Sequence, residues 1–249
     1  MITKIIHEDK IQKAHKYIEK GESFVIVTHV SPDGDAIGSA LGLFHFLNAY
    51  GKENVSVIVP NDYPNFLKWM PGTKDVTIYE KYPEFSEQLI SDADVIFCLD
   101  FNDPKRIEKL ADPVLKSEAR KVLIDHHLHP VEFCNVTMSY PNISSTSEMV
   151  FRFICRMGLF DLIDKNAAEC IYTGMMTDTG AFTYNSNHPE IYTIIGELIK
   201  LGIDKDLIYR RINQVYSEGR LRLMGYVLYE KMKVHHDMQA AMIALSVDE

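Results

Sequence analysis

His29, Asp33 and Asp35 place one imidazole and two carboxylates within seven residues, in the run Thr28-His29-Val30-Ser31-Pro32-Asp33-Gly34-Asp35. Carboxylates so close repel one another unless a cation neutralises them, so the run reads as the opening of a metal site. Three further clusters fall at similar positions. Asp100 ends one apolar run, Asp125-His126-His127 ends another with His129 shortly after, and Asp178 stands among the small residues of Thr177-Asp178-Thr179-Gly180. The donors are oxygen and nitrogen without thiolate, a set that suits manganese, magnesium or cobalt better than structural zinc. They are too many for one ion. A carboxylate shared by two ions would hold them roughly 3.5–4 Å apart, lower the pKa of a water between them and clamp phosphoryl oxygens. The chemistry expected is in-line hydrolysis of a phosphoester or phosphoanhydride. A lone strand-end aspartate, or Asp33-Gly34 by itself, is more often a cap or turn. Four clusters on one edge of a sheet outweigh that reading.

The elements that would position these residues alternate. A helix is expected over residues 8–20, a buried strand over 24–27, a helix over 36–50 closed by Gly51, and a strand over 55–59 closed by Pro60. Further continuous apolar strands are expected over 94–99 and 121–124. Strands without polar alternation, separated by helices, predict an α/β fold: a mainly parallel sheet with helices on both faces. In such a sheet successive strand ends share one edge, so residues about 150 positions apart can meet. Ser144-Ser145-Thr146 with Glu148 reads as a capped helix start leading into 149–157. Helices are then expected over 165–176, 189–200 and, as one long linker helix, 204–231. His235-His236 reads as loop, and 239–246 as a strand at the very end.

Composition narrows the class. The chain has 249 residues, four widely spaced cysteines without a C-x-x-C pair, and a net charge of -9. The cysteines read as reduced core thiols of a cytoplasmic protein. No apolar run approaches the roughly 18 residues of a membrane span, and the N-terminus lacks a signal-peptide core. The acidic balance argues against broad coating of duplex nucleic acid, but not against a small anionic substrate bound through metal.

With these motifs in hand, the chain resembles the DHH phosphoesterase superfamily, named for the triad seen here as Asp125-His126-His127. His29-x-x-x-Asp33-x-Asp35, Asp100, the triad and Asp178 occur in the family's order, and the likeness covers about residues 10–230. The resemblance implies two divalent cations, manganese first, with magnesium or cobalt as alternatives. His29, Asp33 and Asp100 would hold one; Asp35, Asp100, His126 and Asp178 would hold the other, with Asp100 bridging. His127 would face the substrate phosphate, Asp125 would orient the histidines, and Arg106 would assist on the phosphate side. His127, Asp125 and Asp100 are thus the residues expected to serve catalysis. Lys68 and Trp69 offer a cation and a stacking surface, though a single tryptophan among apolar residues reads as core.

Within the superfamily the chain is most similar to bacterial nanoRNase-type proteins, which cleave very short RNA and dephosphorylate 3′-phosphoadenosine 5′-phosphate. The domains this implies are a catalytic domain over 1–200, a linker helix over 201–234, and over 235–249 the start of a smaller substrate-binding domain. The sequence stops within that domain's first strand, as expected of a piece of a longer protein rather than of a naturally short member. An orphaned face of the linker helix would then favour homodimer contacts. The expected function is metal-dependent hydrolysis of short oligonucleotides and 3′,5′-bisphosphonucleotides in the cytoplasm. The alternatives are a pyrophosphatase or exopolyphosphatase, a cyclic-dinucleotide phosphodiesterase, and a non-catalytic nucleotide-binding regulator.

Overall fold

Short apolar runs with no polar alternation suit strands covered on both faces, and the computed structural model, which describes residues 4–247, has that arrangement. In chain order the elements are α1 (Glu8–Lys20), β1 (Ser23–Val27), α2 (Gly34–Ala49), β2 (Asn54–Val59), β3 (Val76–Ile78), α3 (Pro83–Ser91), β4 (Val95–Leu99), α4 (Ala111–Lys116), β5 (Arg120–Asp125) and β6 (Val136–Ser139). There follow α5 (Thr146–Arg156), α6 (Lys165–Asp178), α7 (Pro189–Lys200), α8 (Lys205–Asn213), α9 (Glu218–Tyr226), β7 (Lys233–His235) and β8 (Ala240–Met242). Every residue of β4 is buried. Val25, Val27, Ile96, Cys98 and Leu123 pack with Ile90 of α3 and Val114 of α4, while α2 and α5 pack on the strands as well.

β1 to β6 form one parallel sheet in the order β3-β2-β1-β4-β5-β6. The chain turns outward in one direction from β1 through β2 and β3, and in the other through β4, β5 and β6. The crevice between β1 and β4 is therefore the switch point, where open α/β sheets place their sites. Val27 pairs with Cys98 and Leu99 with Ile124, so the segments that begin at Thr28, Asp100 and His126 leave the same edge side by side.

A seam of small residues brings a second set of elements to that edge. A Cβ on Gly38 of α2 would lie 2.6 Å from the Cys170 carbonyl oxygen and 2.8 Å from the Gly174 nitrogen of α6. One on Gly174 would lie 1.9 Å from Ser147 Oγ and 2.8 Å from Asp35 Oδ1. Backbones can approach this closely only where no Cβ intervenes, and the approach carries the C-terminal end of α6 to the N-terminal end of α2.

Some expectations are corrected. The long helix over 204–231 is broken after Asn213, because Ser217 turns extended and its hydroxyl accepts the Arg220 N–H, starting α9 afresh. A π-helical turn, Val227–Lys231, ends it. His235 belongs to β7, which pairs antiparallel with β8; the strand expected over 239–246 is only β8, Ala240–Met242. β3, α3, α4 and β6 were not anticipated: β3 has three half-buried residues, and α3 opens on Pro83. The chain divides into two compact units, one reaching to Ile208 and the other beginning at Tyr209. The second unit exposes large apolar side chains, among them Leu221, Met224, Leu228, Tyr229 and Met242.

The seam sets a stability prediction. Gly38→Ala gains about 1 kcal/mol of helix propensity, but its methyl group meets backbone atoms that cannot swing aside. Overpacking of roughly 1–3 kcal/mol or more outweighs the gain, so the urea midpoint should fall with an unchanged m value.

Candidate metal centre

The metal-competent residues expected from the sequence are brought to one edge of the sheet, and the Arg106 charge acts on His127 there. The loop after β1 carries His29. Its Nδ1 lies 2.8 Å from the Val30 carbonyl, so Nδ1 holds the proton and Nε2 presents a lone pair. That Nε2 is 3.4 Å from Asp100 Oδ2 and 3.9 Å from Asp33 Oδ1. Asp33 caps α2 through Oδ1, which accepts the Asp35 and Ala36 N–H groups, each at 3.0 Å. His126 follows the same logic: Nδ1 lies 3.2 Å from the Ile143 carbonyl, and Nε2 faces Asp178 Oδ2 at 3.5 Å, Asp100 Oδ1 at 3.6 Å and Asp35 Oδ2 at 3.9 Å.

Asp178 arrives as the last residue of α6, two residues beyond the helix end expected from the sequence, delivered by the glycine seam. Asp100 adopts φ 66°, a left-handed conformation rarely taken by residues with a side chain, and Ser31 in the first loop does likewise at φ 54°. Strain of this kind persists where the surroundings enforce it, often at functional sites.

Three overlapping groups have donor atoms within 4.8 Å of one another: His29, Asp33 and Asp100; Asp35, His126 and Asp178; and Asp100, His126 and His127. His127 stands apart in its bonding. Its Nδ1 lies 2.7 Å from Asp125 Oδ1, and its backbone N–H donates to Asp125 Oδ2 at 3.0 Å. Fully buried Asp125 therefore fixes the tautomer and leaves Nε2 free for another partner.

Sequence reasoning missed the residues that hold the carboxylates. Asp35 accepts the Thr146 N–H at 2.6 Å and the Ser147 N–H at 2.9 Å, both at the N-terminus of α5. The Thr146 hydroxyl donates to Asp100 Oδ1 at 2.8 Å. The Ser-Ser-Thr-x-Glu run signalled a helix start and is one: Ser145 caps α5. Its second meaning, that a helix start offers N–H groups to an anion, was available from the same residues. Behind it, Glu148 accepts from Ser144 and pairs with buried Arg152, which also pairs with Glu190 of α7 at 2.7 Å.

The electrostatics call for a cation. Burial pushes the Asp35 carboxyl well above its ordinary range, reinforced by Asp100 and Asp178. Burial, with Asp100 and Asp33, likewise raises Asp178 to about 6 against the pull of His126. Burial also works to raise Asp100, but His29, His126 and the Thr146 hydroxyl outweigh it and bring it to about 2. Among the described residues no lysine or arginine pairs with Asp33, Asp35, Asp100 or Asp178. A helix N-terminus contributes at most about 2 kcal/mol toward a buried anion, against a desolvation cost of several kcal/mol per ion. A buried hydroxyl beside these residues, Thr28 Oγ1, also lacks a hydrogen-bond partner. Oxygen and nitrogen donors in a buried, under-neutralised cluster fit a divalent cation.

Arg106 is half-buried in the 3₁₀ segment Pro104–Leu110. Its carbonyl accepts the Val30 N–H at 2.8 Å, anchoring the His29 loop, and its charge acts on His127. Lys68 pairs with Asp62 at 3.0 Å, and Trp69 is half-buried.

The profile of the DHH family's N-terminal domain matches residues 23–175. The chain belongs to the DHH family. Over 203 residues it is 34% identical to the bifunctional oligoribonuclease and PAP phosphatase NrnA of Thermus thermophilus, covering 82% of this chain and 57% of that protein. The protein of the same name from Bacillus subtilis is 26% identical over 212 residues, covering 83% of this chain and 61% of the relative. The chain thus spans less than two thirds of either. A crystal structure of an exopolyphosphatase-related protein from Bacteroides fragilis matches the whole chain and 72% of its own, with 59% identity and a TM-score of 0.97. No helix among the described residues is long and apolar enough to cross a membrane.

The DHH cluster makes stability depend on pH in a definite direction. Asp178 and Asp35 are raised by burial. His127 is raised by its bond to Asp125, and His29 is raised by Asp100 despite its burial. Each group binds protons more tightly folded than unfolded, so its contribution is lost as pH rises through the folded-state pKa. The metal-stripped protein should therefore melt at a higher temperature near about pH 5.5 than near about pH 8. Saturating divalent metal should raise Tm and reverse the gradient, since protons then compete with the ion. Calorimetry at both pH values, with and without manganese, checks both signs.

Proposed function

We propose that this chain is the catalytic portion of a divalent-metal-dependent phosphoesterase that hydrolyses short oligonucleotides and 3′,5′-bisphosphonucleotides. One observation carries the reading: Asp100, on its left-handed strand end, lies between His29 and His126 and belongs to two of the three metal-competent groups. In this assignment His29, Asp33 and Asp100 hold one cation. Asp35, Asp100, His126 and Asp178 hold the second, with Asp100 shared. Manganese is the ion assigned, with magnesium and cobalt as alternatives compatible with the donors. When bound, such a pair activates water and offsets charge on the phosphoryl oxygens.

The chain's own residues supply the rest. Asp125, bonded to Nδ1, favours the protonated form of His127, whose Nε2–H would stabilise negative charge on the substrate or pass a proton to the leaving oxygen. Arg106 adds positive charge on the phosphate side. Thr146 and the N-terminus of α5 keep Asp100 and Asp35 in place, so the carboxylates need not reorganise during the reaction. The relatives named for oligoribonuclease and PAP phosphatase activity support this substrate class, and a cytoplasmic setting follows from it. Residues 235–249 are assigned to the start of a further, substrate-binding domain. The exopolyphosphatase-related structure favours a second reading, hydrolysis of phosphoanhydrides on the same core.

The full-length protein with manganese should turn over a two-nucleotide RNA and 3′-phosphoadenosine 5′-phosphate but not inorganic pyrophosphate. Pyrophosphate as the sole substrate would move the protein to the second reading, and inertness on all three would leave a nucleotide-binding regulator. Asp100→Asn should lower the rate by more than roughly 100-fold, beyond the loss typical of an outer partner of a metal ligand. Its circular dichroism should be unchanged, because asparagine tolerates the left-handed backbone.

A further inference from the structure

The loop that leaves Asp178 carries a cluster of left-handed residues. Gly180, Ala181 and Phe182 have φ of 52°, 58° and 63°, and Asn185 has φ 47°. Its neighbours enforce the shape. Thr179 is fully buried; its hydroxyl bonds the Met175 carbonyl and accepts the Phe182 N–H, while its carbonyl accepts the N–H groups of Thr183 and Tyr184. Phe182 packs against Tyr172, with ring centroids 5.7 Å apart. Tyr184 goes the other way. A Cβ on Gly180 would lie only 2.2 Å from its Cε1 and 3.0 Å from its Cζ, so the ring is seated directly on the Gly180 backbone, two residues past Asp178. The residue is nonetheless 59% exposed.

A large apolar ring fixed on one side and open on the other, beside a cluster suited to phosphate chemistry, is an unspent stacking surface. Leaving it in water forfeits the burial such a ring usually finds. We propose that Tyr184 is a specificity-determining residue whose ring stacks on a nucleobase of the substrate bound at the metal centre. The inference rests on the proposed function and deepens it. Stacking accepts any base, since every base has a π face, and it favours nucleotides over pyrophosphate, which has nothing to stack. The proposed recognition is therefore tolerant of base identity while demanding that a base be present.

The test compares a two-nucleotide RNA with its abasic analogue in the full-length protein, for the unaltered chain and for Tyr184→Phe, Tyr184→Leu and Tyr184→Ala. Leucine preserves an apolar seat on Gly180 without a π face, so it separates stacking from packing of the loop. The expected result is a rise in KM for the RNA of roughly 5- to 100-fold in the leucine and alanine variants, collapsing the preference for RNA over the abasic analogue, with phenylalanine restoring it. A 2-aminopurine dinucleotide should be quenched on binding to the unaltered and phenylalanine proteins but not to the leucine variant. Turnover of RNA with an undiminished preference in the leucine variant would overturn the role of Tyr184 and leave the phosphoesterase reading standing. Failure of the unaltered protein to act on any nucleotide would overturn both.

Discussion

Crowding of carboxylates at one buried point is the constraint to which the surrounding structure answers. Asp35 and Asp100 are almost fully buried, Asp178 is half-buried, and all three face the same imidazole within 3.9 Å. Such a group repels itself and loses hydration on folding. The fold meets this with the donors within reach, the Thr146 hydroxyl and the first N–H groups of α5, and sets the Nε2 atoms of two imidazoles against the carboxylates. These orient the carboxylates without neutralising them, as a site prepared for cations must do.

The demand extends outward through the packing. α5 can offer its N-terminus to Asp35 because Glu148 and Arg152 hold that end in a buried ionic chain tied to α7 through Glu190. α6 can deliver Asp178 because Gly38 and Gly174 remove the Cβ atoms that would separate it from α2 and α5. The sheet contributes His29, Asp100 and the Asp125-His126-His127 triad through a strand order whose reversal between β1 and β4 opens the crevice. The site is thus built by two routes, strand ends from the sheet and helix ends from the packed layer above it.

That division explains what could be read from residues alone. Continuous apolar runs announced β1, β2, β4 and β5, and the polar residues at their ends were legible as a cluster because a parallel sheet aligns its strand ends. β3 and β6, of three and four residues, were too short to stand out. The break at Ser217 was obscured by residues that would all tolerate a helix, so that a capping hydroxyl decided the matter. Asp178 was found by its type and its small neighbours, but its delivery by a helix depends on a close approach between α2 and α6 that involves residues more than a hundred positions apart. Thr146 and Ser147 were legible only as a helix start. Their service to Asp35 and Asp100 is a tertiary fact with no local periodicity to betray it.

Exposure is distributed unequally among the donors. The Asp33 side chain is 59% exposed, whereas those of His29, Asp35 and Asp100 are at most 6% and that of His126 is 14%. The acidic cluster therefore meets solvent on its Asp33 side and is closed on its Asp35 side by the N–H groups of the α5 terminus.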